Sequence, residues 1–457
     1  MLTYKLEKKP GLPLYESLYR CIRADILSGR LAPGEKLPSK RALAENLKVG
    51  KTTVEAAFAQ LTAEGFLRSR EKVGYFVEAL PLPAAKPQLP QTPAVPEETL
   101  VADLTSGGGC RFPFTAWSRL QRQVFLDYGE KLLQPLPTQG IPELRQAIAA
   151  HLADFRGMAV DPDNILVGAG TDFLYNLVVQ LLGRDRVYAL EDPGYGKIRK
   201  VYAAGGTRCV NAVMDGKGVR PDGLGQADVL HISPAHHFPT GIVTPLSRRQ
   251  ALLDWAGAGE KWIIEDDYDS EFRFKSLNLP AMQSLSPERV IYMNTFSKSL
   301  APSIRISYMV LPAGLMARFR EKLGFYSCTV ASFEQYTLAR FLSEGYFEKH
   351  INRMRKFYRL RRSRLTAMLE GLPGIRVLEQ DAGLHFLVEL NTGLSDPALV
   401  EALGERGIRA EALSSFYHTR QEDLHRLVVD YSGLEEGAFA KAVEVLRELA
   451  EGRFAVS

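Results

Sequence analysis

A proline-rich stretch divides this chain of 457 residues into two parts that must fold separately. Six prolines fall between Pro81 and Pro96, together with alanine, glutamine and threonine and almost no large apolar residue. Such a composition has too little to bury and keeps the chain partly extended, so it predicts a semi-rigid linker. We therefore expect one domain over 1–79, a linker over 80–100 and a larger domain over 101–457.

Charge is distributed unevenly between the two domains. Residues 1–79 contain 14 Lys and Arg against 9 Asp and Glu, whereas the rest of the chain contains 43 against 44. The excess of positive charge therefore lies in the first domain, which indicates a polyanion as its partner. A basic face that is merely solvated is the alternative when charge is the only signal.

Cysteine usage and hydropathy exclude several classes of protein. The four cysteines are scattered without a CxxC pair, so we expect neither a metal site nor a disulfide framework. There is no N-terminal apolar run and no stretch of eighteen apolar residues, so we expect no signal peptide and no membrane span. A cytoplasmic location fits this composition.

Helical periodicity alternates with turn signals in the first domain. Apolar residues recur at helical spacing from Leu14 onward, which predicts a first helix. Ser39 is a suitable N-cap for a second helix, and a third helix is expected to begin near Lys51 after a tight turn. Short apolar runs on either side of a turn at 72–74 predict a β-hairpin.

Two helices joined by a tight turn and followed by a hairpin can place one helix in the major groove of DNA. Polar side chains cluster around that turn, and the backbone N–H groups that begin the third helix also attract phosphate. The candidate DNA-binding residues are Ser39, Lys40, Arg41, Lys51, Thr52, Thr53, Lys72 and Tyr75. Hydroxyls and lysines mainly hold phosphates, and only some of them reach base edges. The alternative for this pattern alone is a small helical dimerisation domain.

Short apolar runs alternate with amphipathic helices through the second domain. Helices are expected over 142–155 and 171–182. Strands are expected over 165–167, 186–190, 229–233, 262–268, 290–295 and 306–311. This alternation implies an α/β domain with a mostly parallel sheet and helices on both faces. The last third mixes long helices within 333–369 with short strands at 384–390 and 427–431, which predicts a smaller α+β subdomain.

Lys298 follows the apolar strand 290–295 and lies beside the hydroxyls of Thr295 and Ser297, with Arg305 seven residues later. This setting suits pyridoxal 5′-phosphate (PLP). The lysine amine forms an imine with the aldehyde of the cofactor, and the hydroxyls and the guanidinium hold its phosphate. Most lysines are solvated surface residues, but a lysine that directly follows a buried strand departs from that pattern.

A carboxylate cluster ends the strand predicted over 262–268. Because strand side chains alternate, we expect Asp266 and Tyr268 to lie on one face. In that arrangement Asp266 keeps the pyridine nitrogen of the cofactor protonated and Tyr268 donates to its phenolic oxygen. The alternatives are a metal site or a solvated strand end, and the absence of a neighbouring histidine in the sequence disfavours a transition metal.

Two turns supply the remaining candidates for the cofactor site. Tyr195 presents a ring after a strand and is the candidate for stacking on the cofactor, with an ordinary loop tyrosine as the alternative. Gly170 and Thr171 begin a helix, and the N-terminus of a helix suits a phosphate. The neighbouring Asp172 would repel a phosphate if it pointed inward, and it would otherwise complement the helix dipole.

The first domain closely resembles the GntR-type winged helix over nearly all of residues 10–78. The resemblance rests on Pro13-Leu14-Tyr15 and on the runs 26–31, 33–39 and 53–65. It implies that the helix beginning near Gly50 is the recognition helix. Gly50 and Lys51 stand where serine and arginine are commonest in that family, and lysine lacks the bidentate fork with which arginine reads guanine.

The second domain resembles the fold type I aminotransferases from about Leu104 to the end of the chain. In the run Ser-Pro-Ala-His-His-Phe-Pro-Thr-Gly at 233–241, Phe238 stands where those enzymes usually carry asparagine. This variant, the Asp-Asp-Tyr-Asp run at 266–269 and the GntR-type head together resemble the MocR/GabR group of regulators. The resemblance implies that Arg426 clamps a ligand carboxylate and that the protein forms a head-to-tail homodimer.

From these features we expect a PLP-dependent transcriptional regulator whose main role is not enzymatic. An amino compound would displace Lys298 to form an external aldimine and so change how paired winged helices meet a double-stranded DNA operator. GABA, D-alanyl ligands, taurine-like amines and PLP itself are all compatible effectors. The alternatives are an active aminotransferase that carries a DNA-binding head, and a DNA-binding protein whose empty core only dimerises.

Overall fold

The computed structural model describes residues 2–4, 6, 13–79, 100–105, 111–272, 279–378, 383–419 and 422–452. The chain divides into two compact units, Met1–Pro96 and Glu97–Ser457. The proline-rich stretch predicted to be a linker lies outside the described residues, apart from its last residue. Within the described ranges, no helix combines the length and the apolar character that crossing a bilayer requires.

Among its described residues, the first unit contains three helices and a hairpin. They are α1 (Leu14–Leu27), α2 (Lys40–Leu47), α3 (Lys51–Ala63), β1 (Leu67–Arg70) and β2 (Gly74–Val77). The Ser39 hydroxyl accepts a hydrogen bond from the Ala42 N–H at 3.2 Å, so Ser39 caps α2 as the sequence predicted. The two strands pair in antiparallel register with Leu67 opposite Val77.

A small apolar core holds this unit together. Leu18 and Ile22 from α1 pack against Val54 and Phe58 from α3, and all four side chains are fully buried. Each such side chain contributes roughly 1.5–3 kcal/mol when it leaves water. The predicted winged helix-turn-helix arrangement is confirmed.

The second unit is larger and mixes helices with strands. Its helices are α4 (Phe114–Tyr128), α5 (Pro142–Arg156), α6 (Thr171–Leu182), α7 (Gly196–Ala204), α8 (Leu246–Gly257), α9 (Met282–Leu285), α10 (Phe296–Ser299), α11 (Ala313–Leu323), α12 (Ser332–Ser343), α13 (Tyr346–Leu369), α14 (Asp396–Gly404) and α15 (Glu436–Ala450). Its strands are β3 (Ala102–Asp103), β4 (Ile165–Gly168), β5 (Val187–Asp192), β6 (Arg208–Asp215), β7 (Gly218–Val219), β8 (Val229–Ile232), β9 (Trp262–Asp266), β10 (Val290–Thr295), β11 (Ser307–Val310), β12 (Ile375–Leu378), β13 (His385–Leu390), β14 (Ile408–Arg409), β15 (Glu411–Ala412) and β16 (Arg426–Asp430).

In the ranges that the structure describes, eight strands form the main sheet, in the order β4-β11-β10-β9-β8-β5-β6-β7. The strands from β10 through β9, β8 and β5 to β6 are parallel, whereas β11 is antiparallel to both of its neighbours. Helices α6 and α11 pack on one face of this sheet, and α8 packs on the other. Because both faces are covered, the inner strands β9 and β10 begin with runs of apolar residues. The predicted α/β fold with a mostly parallel sheet is confirmed.

A second sheet lies in the C-terminal third of the chain. Its order is β12-β13-β16-β15, and all of its pairs are antiparallel. One face packs on α13 and α15 through Phe386, Val388 and Val429. The other face therefore carries the alternate residues of β13 and β16. The predicted α+β subdomain is confirmed.

Candidate cofactor site and DNA-binding surface

The residues predicted to hold the cofactor lie at one edge of the main sheet. β5, β8, β9 and β10 are parallel, so their carboxyl ends meet at the same edge. Tyr195 follows β5, Asp266 ends β9, and Lys298 lies on α10 directly after β10. Gly170 follows β4, which runs in the same direction because β11 is antiparallel to both β4 and β10. Ligands of open α/β sheets bind at such an edge.

Asp266 is buried, and its two carboxylate oxygens have different surroundings. Tyr175 donates its hydroxyl to Oδ2, and His231 Nε2 lies 3.4 Å from the same oxygen. Oδ1 is buried without a hydrogen-bond partner among the described residues. Because an unpaired buried carboxylate oxygen costs free energy, Oδ1 fits the protonated ring nitrogen of a pyridoxal cofactor.

Tyr175 and His231 were not predicted from the sequence as partners of Asp266. Burial raises the pKa of the Tyr175 hydroxyl well above its ordinary value, and the Asp266 carboxylate adds to this shift, so the hydroxyl remains a donor. The signal that identifies His231 is a polar residue in the middle of the otherwise apolar strand β8. Buried polar residues of this kind usually belong to a hydrogen-bonded network.

Tyr268 lies two residues beyond the end of β9, so the expectation that it shares a strand face with Asp266 is wrong. Directly after the strand, the Asp267 carboxylate forms a buried ion pair, 3.0 Å from Arg156 Nε, and also accepts from the Tyr292 hydroxyl at 2.7 Å. Tyr268 stays a predicted donor to the cofactor. Burial, followed by the carboxylates of Asp269 and Asp266, raises its pKa well above its ordinary value and keeps its hydroxyl protonated.

His236 determines where the Tyr268 hydroxyl can donate. Its Nδ1 lies 2.8 Å from Asp269 Oδ2 and 3.3 Å from the Tyr268 hydroxyl. An ionised carboxylate only accepts hydrogen bonds, so Nδ1 carries the proton and donates it to Asp269. Nδ1 therefore cannot accept from Tyr268, whose hydroxyl hydrogen remains available for the phenolic oxygen of a cofactor.

The residues predicted to hold the phosphate lie on a glycine turn, at a helix N-terminus and on one arginine. Gly170 has φ +89°, and a Cβ added there would lie 2.6 Å from Arg305 Cζ. Thr171 is the first residue of α6, whose N–H groups suit an anion. The Ser297 hydroxyl is buried and has no hydrogen-bond partner among the described residues. These features make a cradle for a phosphate group.

Thr295 and Asp172, which lie near the phosphate cradle, contact other side chains of the protein. The Thr295 hydroxyl accepts from the Ser297 N–H at 3.1 Å and from the Ser307 hydroxyl at 2.8 Å, so it also stabilises the turn into α10. Asp172 Oδ2 lies 2.6 Å from Lys197 Nζ and 3.4 Å from Arg305 Nη2. The charge of Asp172 is therefore balanced by two cations instead of facing a phosphate unopposed.

Lys298 lies beside a second acidic residue, which was not predicted from the sequence. Its Nζ is 3.9 Å from Oδ2 of Asp430, which ends β16. Asp430 Oδ1 accepts hydrogen bonds from the Ser432 N–H at 2.9 Å and the Ser432 hydroxyl at 2.6 Å. Burial raises the pKa of the Asp430 carboxyl, whereas Lys298 and these two hydrogen bonds oppose the shift.

Tyr195 and Phe238 form the aromatic side of the site. The Tyr195 ring is half exposed and meets the Phe238 ring edge-on, with centroids 5.9 Å apart. Phe238 also contacts the rings of Phe416 and His385, at 5.3 and 5.1 Å. An exposed ring at the carboxyl edge of the sheet is consistent with the predicted stacking role of Tyr195.

Arg426, the predicted clamp for a ligand carboxylate, forms an ion pair with a carboxylate of the protein itself. Its Nε and Nη2 both lie close to Glu389 Oε2, at 2.8 and 2.7 Å. Arg376 pairs with Glu389 Oε1 at 2.7 Å. A ligand carboxylate at Arg426 must therefore compete with Glu389, and the clamp stays a prediction.

In the first unit, the candidate DNA-binding residues fall on α2, α3 and the hairpin. Lys51 and Thr52 are exposed at the start of α3, where Thr53 is half-buried. Lys51 Nζ lies 3.5 Å from Glu55 Oε1, and Arg41 Nε lies 3.1 Å from Glu45 Oε1. Both ion pairs are exposed and therefore weak, so phosphates can replace them.

The hairpin candidates differ from one another. Lys72 is exposed at the tip of the hairpin and has φ +58°. Tyr75 packs edge-on against Phe58, with ring centroids 5.0 Å apart, and Lys40 Nζ lies 5.0 Å from the centroid of the same ring. Tyr75 thus helps to position Lys40 and to attach the hairpin to α3.

Three observations fit the second unit to PLP. Asp266 Oδ1 and the Ser297 hydroxyl have no hydrogen-bond partner in the described part of the chain, and only a residue without Cβ can form the turn beside Arg305. The fold and this site define a PLP-binding protein of the aminotransferase type that carries a winged helix-turn-helix unit.

Comparisons with known proteins agree with this class. Residues 14–77 match the model of the bacterial regulatory proteins of the gntR family, and residues 101–446 match aminotransferase class I and II. The chain is 34% identical over 98% of both chains to the uncharacterized HTH-type transcriptional regulator YdeL of Bacillus subtilis. It is 29% identical to the probable rhizopine catabolism regulatory protein MocR of Rhizobium meliloti, over 97% of this chain and 94% of MocR.

A solved structure links the fold to the cofactor. This structure is the α-aminoadipate aminotransferase LysN of Thermus thermophilus, complexed with N-(5′-phosphopyridoxyl)-L-leucine. Its TM-score to this chain is 0.66, and the two sequences are 25% identical. The match covers 77% of this chain and 92% of LysN. The chain therefore belongs to the GntR-type regulators with an aminotransferase class I and II domain, of which MocR is a member. Its cofactor is pyridoxal 5′-phosphate.

Proposed function

We propose that this chain is a PLP-dependent transcriptional regulator that senses an amino compound. The observation that carries the proposal is the coexistence, in one chain, of the cofactor cradle around Lys298 and a winged helix with exposed polar residues at the start of α3. The GntR-type relatives named above are transcriptional regulators, which supports DNA as the partner of the first unit. Binding to an operator implies a cytoplasmic location.

Different residues of the second unit hold different parts of the cofactor. Gly170, Thr171, Ser297 and Arg305 hold the phosphate, with Thr295 supporting the turn, and Asp266 keeps the ring nitrogen protonated. Tyr268 donates to the phenolic oxygen and Tyr195 covers the ring. When bound, the cofactor supplies an aldehyde that condenses reversibly with primary amines, those of Lys298 and of the effector.

The effector acts by favouring one arrangement of the protein over another. When the effector takes the place of Lys298, the amine of the lysine is released close to Asp430. An effector shifts the population of the DNA-binding arrangement only through its different affinities for the two states. The boundaries proposed for the DNA-binding domain, the linker and the effector domain are 1–79, 80–100 and 101–457.

A second copy of the chain is the proposed partner of the second unit, in a head-to-tail homodimer. Large apolar side chains are exposed along α4, the turn after it and the loop after α11. Phe114, Leu126, Leu133 and Phe325 are 73–76% exposed. Large apolar side chains that are exposed together on a folded domain indicate a surface that binds another protein. Leu126→Asp and Leu133→Asp together should shift the protein from dimer to monomer in sedimentation velocity.

An active aminotransferase is the second candidate, because the cradle around Lys298 is complete and the lysine is partly exposed. The visible spectrum of the PLP-loaded protein, followed over time with a panel of primary amines, distinguishes the two functions. A spectral shift that persists without keto acid or pyridoxamine phosphate supports the regulator. A shift that decays to these products supports the enzyme.

A further inference from the structure

The small sheet is the second sheet, β12-β13-β16-β15. Its face that is turned away from α13 and α15 carries three pairs of residues, and each pair has one residue from β13 and one from β16. The pairs are His385 with Asp430, Leu387 with Val428, and Glu389 with Arg426. Residues opposite each other in antiparallel strands lie on the same face, and alternate residues of a strand share that face. We call this the three-pair face. Its pairs are polar, apolar and charged in that order.

The polar pair meets the amine-binding end of the site. Asp430 Oδ2 lies 3.9 Å from Lys298 Nζ. The His385 ring lies 5.1 Å from Phe238 and 4.9 Å from His236, and the buried His385 is largely neutral because desolvation lowers its pKa well below its ordinary value. Asp430 is therefore the acidic group that this end presents to an effector, and its two hydrogen bonds from Ser432 favour its ionised form.

The middle pair is apolar and continuous with the aromatic side of the site. Leu387 and Val428 are buried together with Leu413, and Phe238 and Phe416 pack against them. Phe238 in turn contacts the Tyr195 ring. An effector that extends from the Lys298 amine along the three-pair face would therefore contact the apolar side chains of Leu387 and Val428.

The cations of this face are far from Lys298 along the strand and are already paired. Arg426 lies four residues before Asp430, which separates their Cα atoms by roughly 13 Å in an extended strand. Arg426 and Arg376 both pair with Glu389. The exposed Glu411 stands opposite Val428 on β15 and adds a further carboxylate to the same face.

We propose that the effector is a primary amine with an apolar body and without a carboxylate on the carbon that bears the amine. This inference rests on the proposed function and specifies its ligand class. A carboxylate on that carbon would lie near Asp430 and be repelled by it. An apolar body on the same carbon would instead be buried against Leu387, Val428 and Phe238.

The test compares two ligands that differ only in the carboxylate: 3-methylbutylamine and L-leucine. Their affinities for the PLP-loaded full chain are measured by titration calorimetry, with the visible spectrum recorded in parallel. We expect 3-methylbutylamine to bind about tenfold more tightly than L-leucine, because one like-charge repulsion in a partly buried site amounts to about that factor. Equal or tighter binding of L-leucine would overturn the inference while leaving the regulator proposal standing.

Two variants trace the preference to the three-pair face. Asp430→Asn keeps the oxygen that Ser432 bonds and removes the charge, so the tenfold preference should shrink to about twofold. Glu444→Gln removes an exposed charge on α15 and should leave the preference unchanged. Val428→Thr should weaken 3-methylbutylamine several-fold and methylamine hardly at all, because only the longer amine reaches the apolar pair.

The outcomes separate the two proposals. An undiminished preference in Asp430→Asn, or equal losses for both amines in Val428→Thr, would overturn the inference. If neither amine nor amino acid changed the spectrum or released heat, the proposed sensing function would fail, and the ligand class with it.

Discussion

Replacing Gly170 with alanine should weaken PLP binding strongly, for two reasons that are visible in the structure. Gly170 has φ +89° and ψ 162°, a backbone region that is nearly restricted to glycine and costs a residue with a side chain about 1–3 kcal/mol. The new methyl group would also overlap the Arg305 guanidinium, with the ideal Cβ 2.6 Å from Cζ. Arg305 must then move away from the place where it would hold the phosphate.

The loss can be expressed as an affinity. A hydrogen bond to a charged group contributes about 1.5–3 kcal/mol. Its loss raises the dissociation constant of PLP roughly 10- to 150-fold. The assay is an absorbance titration of the apo-protein with PLP. Gly196→Ala is the matched control, because Gly196 has an ordinary φ and open space around its Cβ position. If Gly170→Ala bound PLP within about threefold of the unchanged protein, which is well below that range, the assignment of the phosphate cradle would be refuted.

Three further predictions concern other parts of the chain. Ser39→Ala removes the N-cap of α2 and should lower the local stability of that helix by about 1 kcal/mol, measured by hydrogen exchange of its amides; unchanged protection would refute the capping role. Lys51→Ala should weaken binding to DNA of any sequence and reduce the slope of log K against log salt by about 0.9, whereas Lys441→Ala on α15 should change neither. Burial raises the pKa of Glu271 to about 8, so the folded state retains a proton that the unfolded state releases above about 4.5. Stability should therefore fall as pH rises from about 4.5 to 8, and Glu271→Gln should flatten this dependence in urea unfolding; an identical pH slope in the variant would contradict the assignment.

Local signals in the sequence were sufficient for the first unit. The cap at Ser39, the start of α3 at Lys51 and the hairpin turn follow from neighbouring residues, and the structure places them as predicted. The same holds for Lys298, because a short apolar strand followed by a lysine and hydroxyl groups is readable within a short stretch of sequence.

The parts of the cofactor site that depend on distant contacts could not be predicted in this way. Tyr175 and His231 reach Asp266 from two other elements, 91 and 35 residues away in the chain. The strand β9 was predicted too long, and Asp267 directly after its end pairs with Arg156, more than a hundred positions away in the chain. Helical and strand periodicity carries no information about such partners, which only the topology of the sheet brings together.

The same reasoning applies to Arg426. The sequence shows an arginine before a strand, and the family resemblance implies a free clamp for a carboxylate. The antiparallel register of β13 and β16 places Glu389 opposite it, and that pairing changes what the arginine can do. The register of the small sheet therefore determines the ligand chemistry that we propose for the site.

The central claim is that an amine acts on DNA binding through Lys298. The most direct measurement is fluorescence anisotropy of a duplex selected from a random pool for binding to the full chain, titrated with PLP-loaded protein and with Lys298→Ala, each with and without a saturating amine. We predict that the amine changes the affinity of the unchanged protein, and that Lys298→Ala binds the duplex but gives no response to the amine. An equal response in Lys298→Ala would contradict the claim.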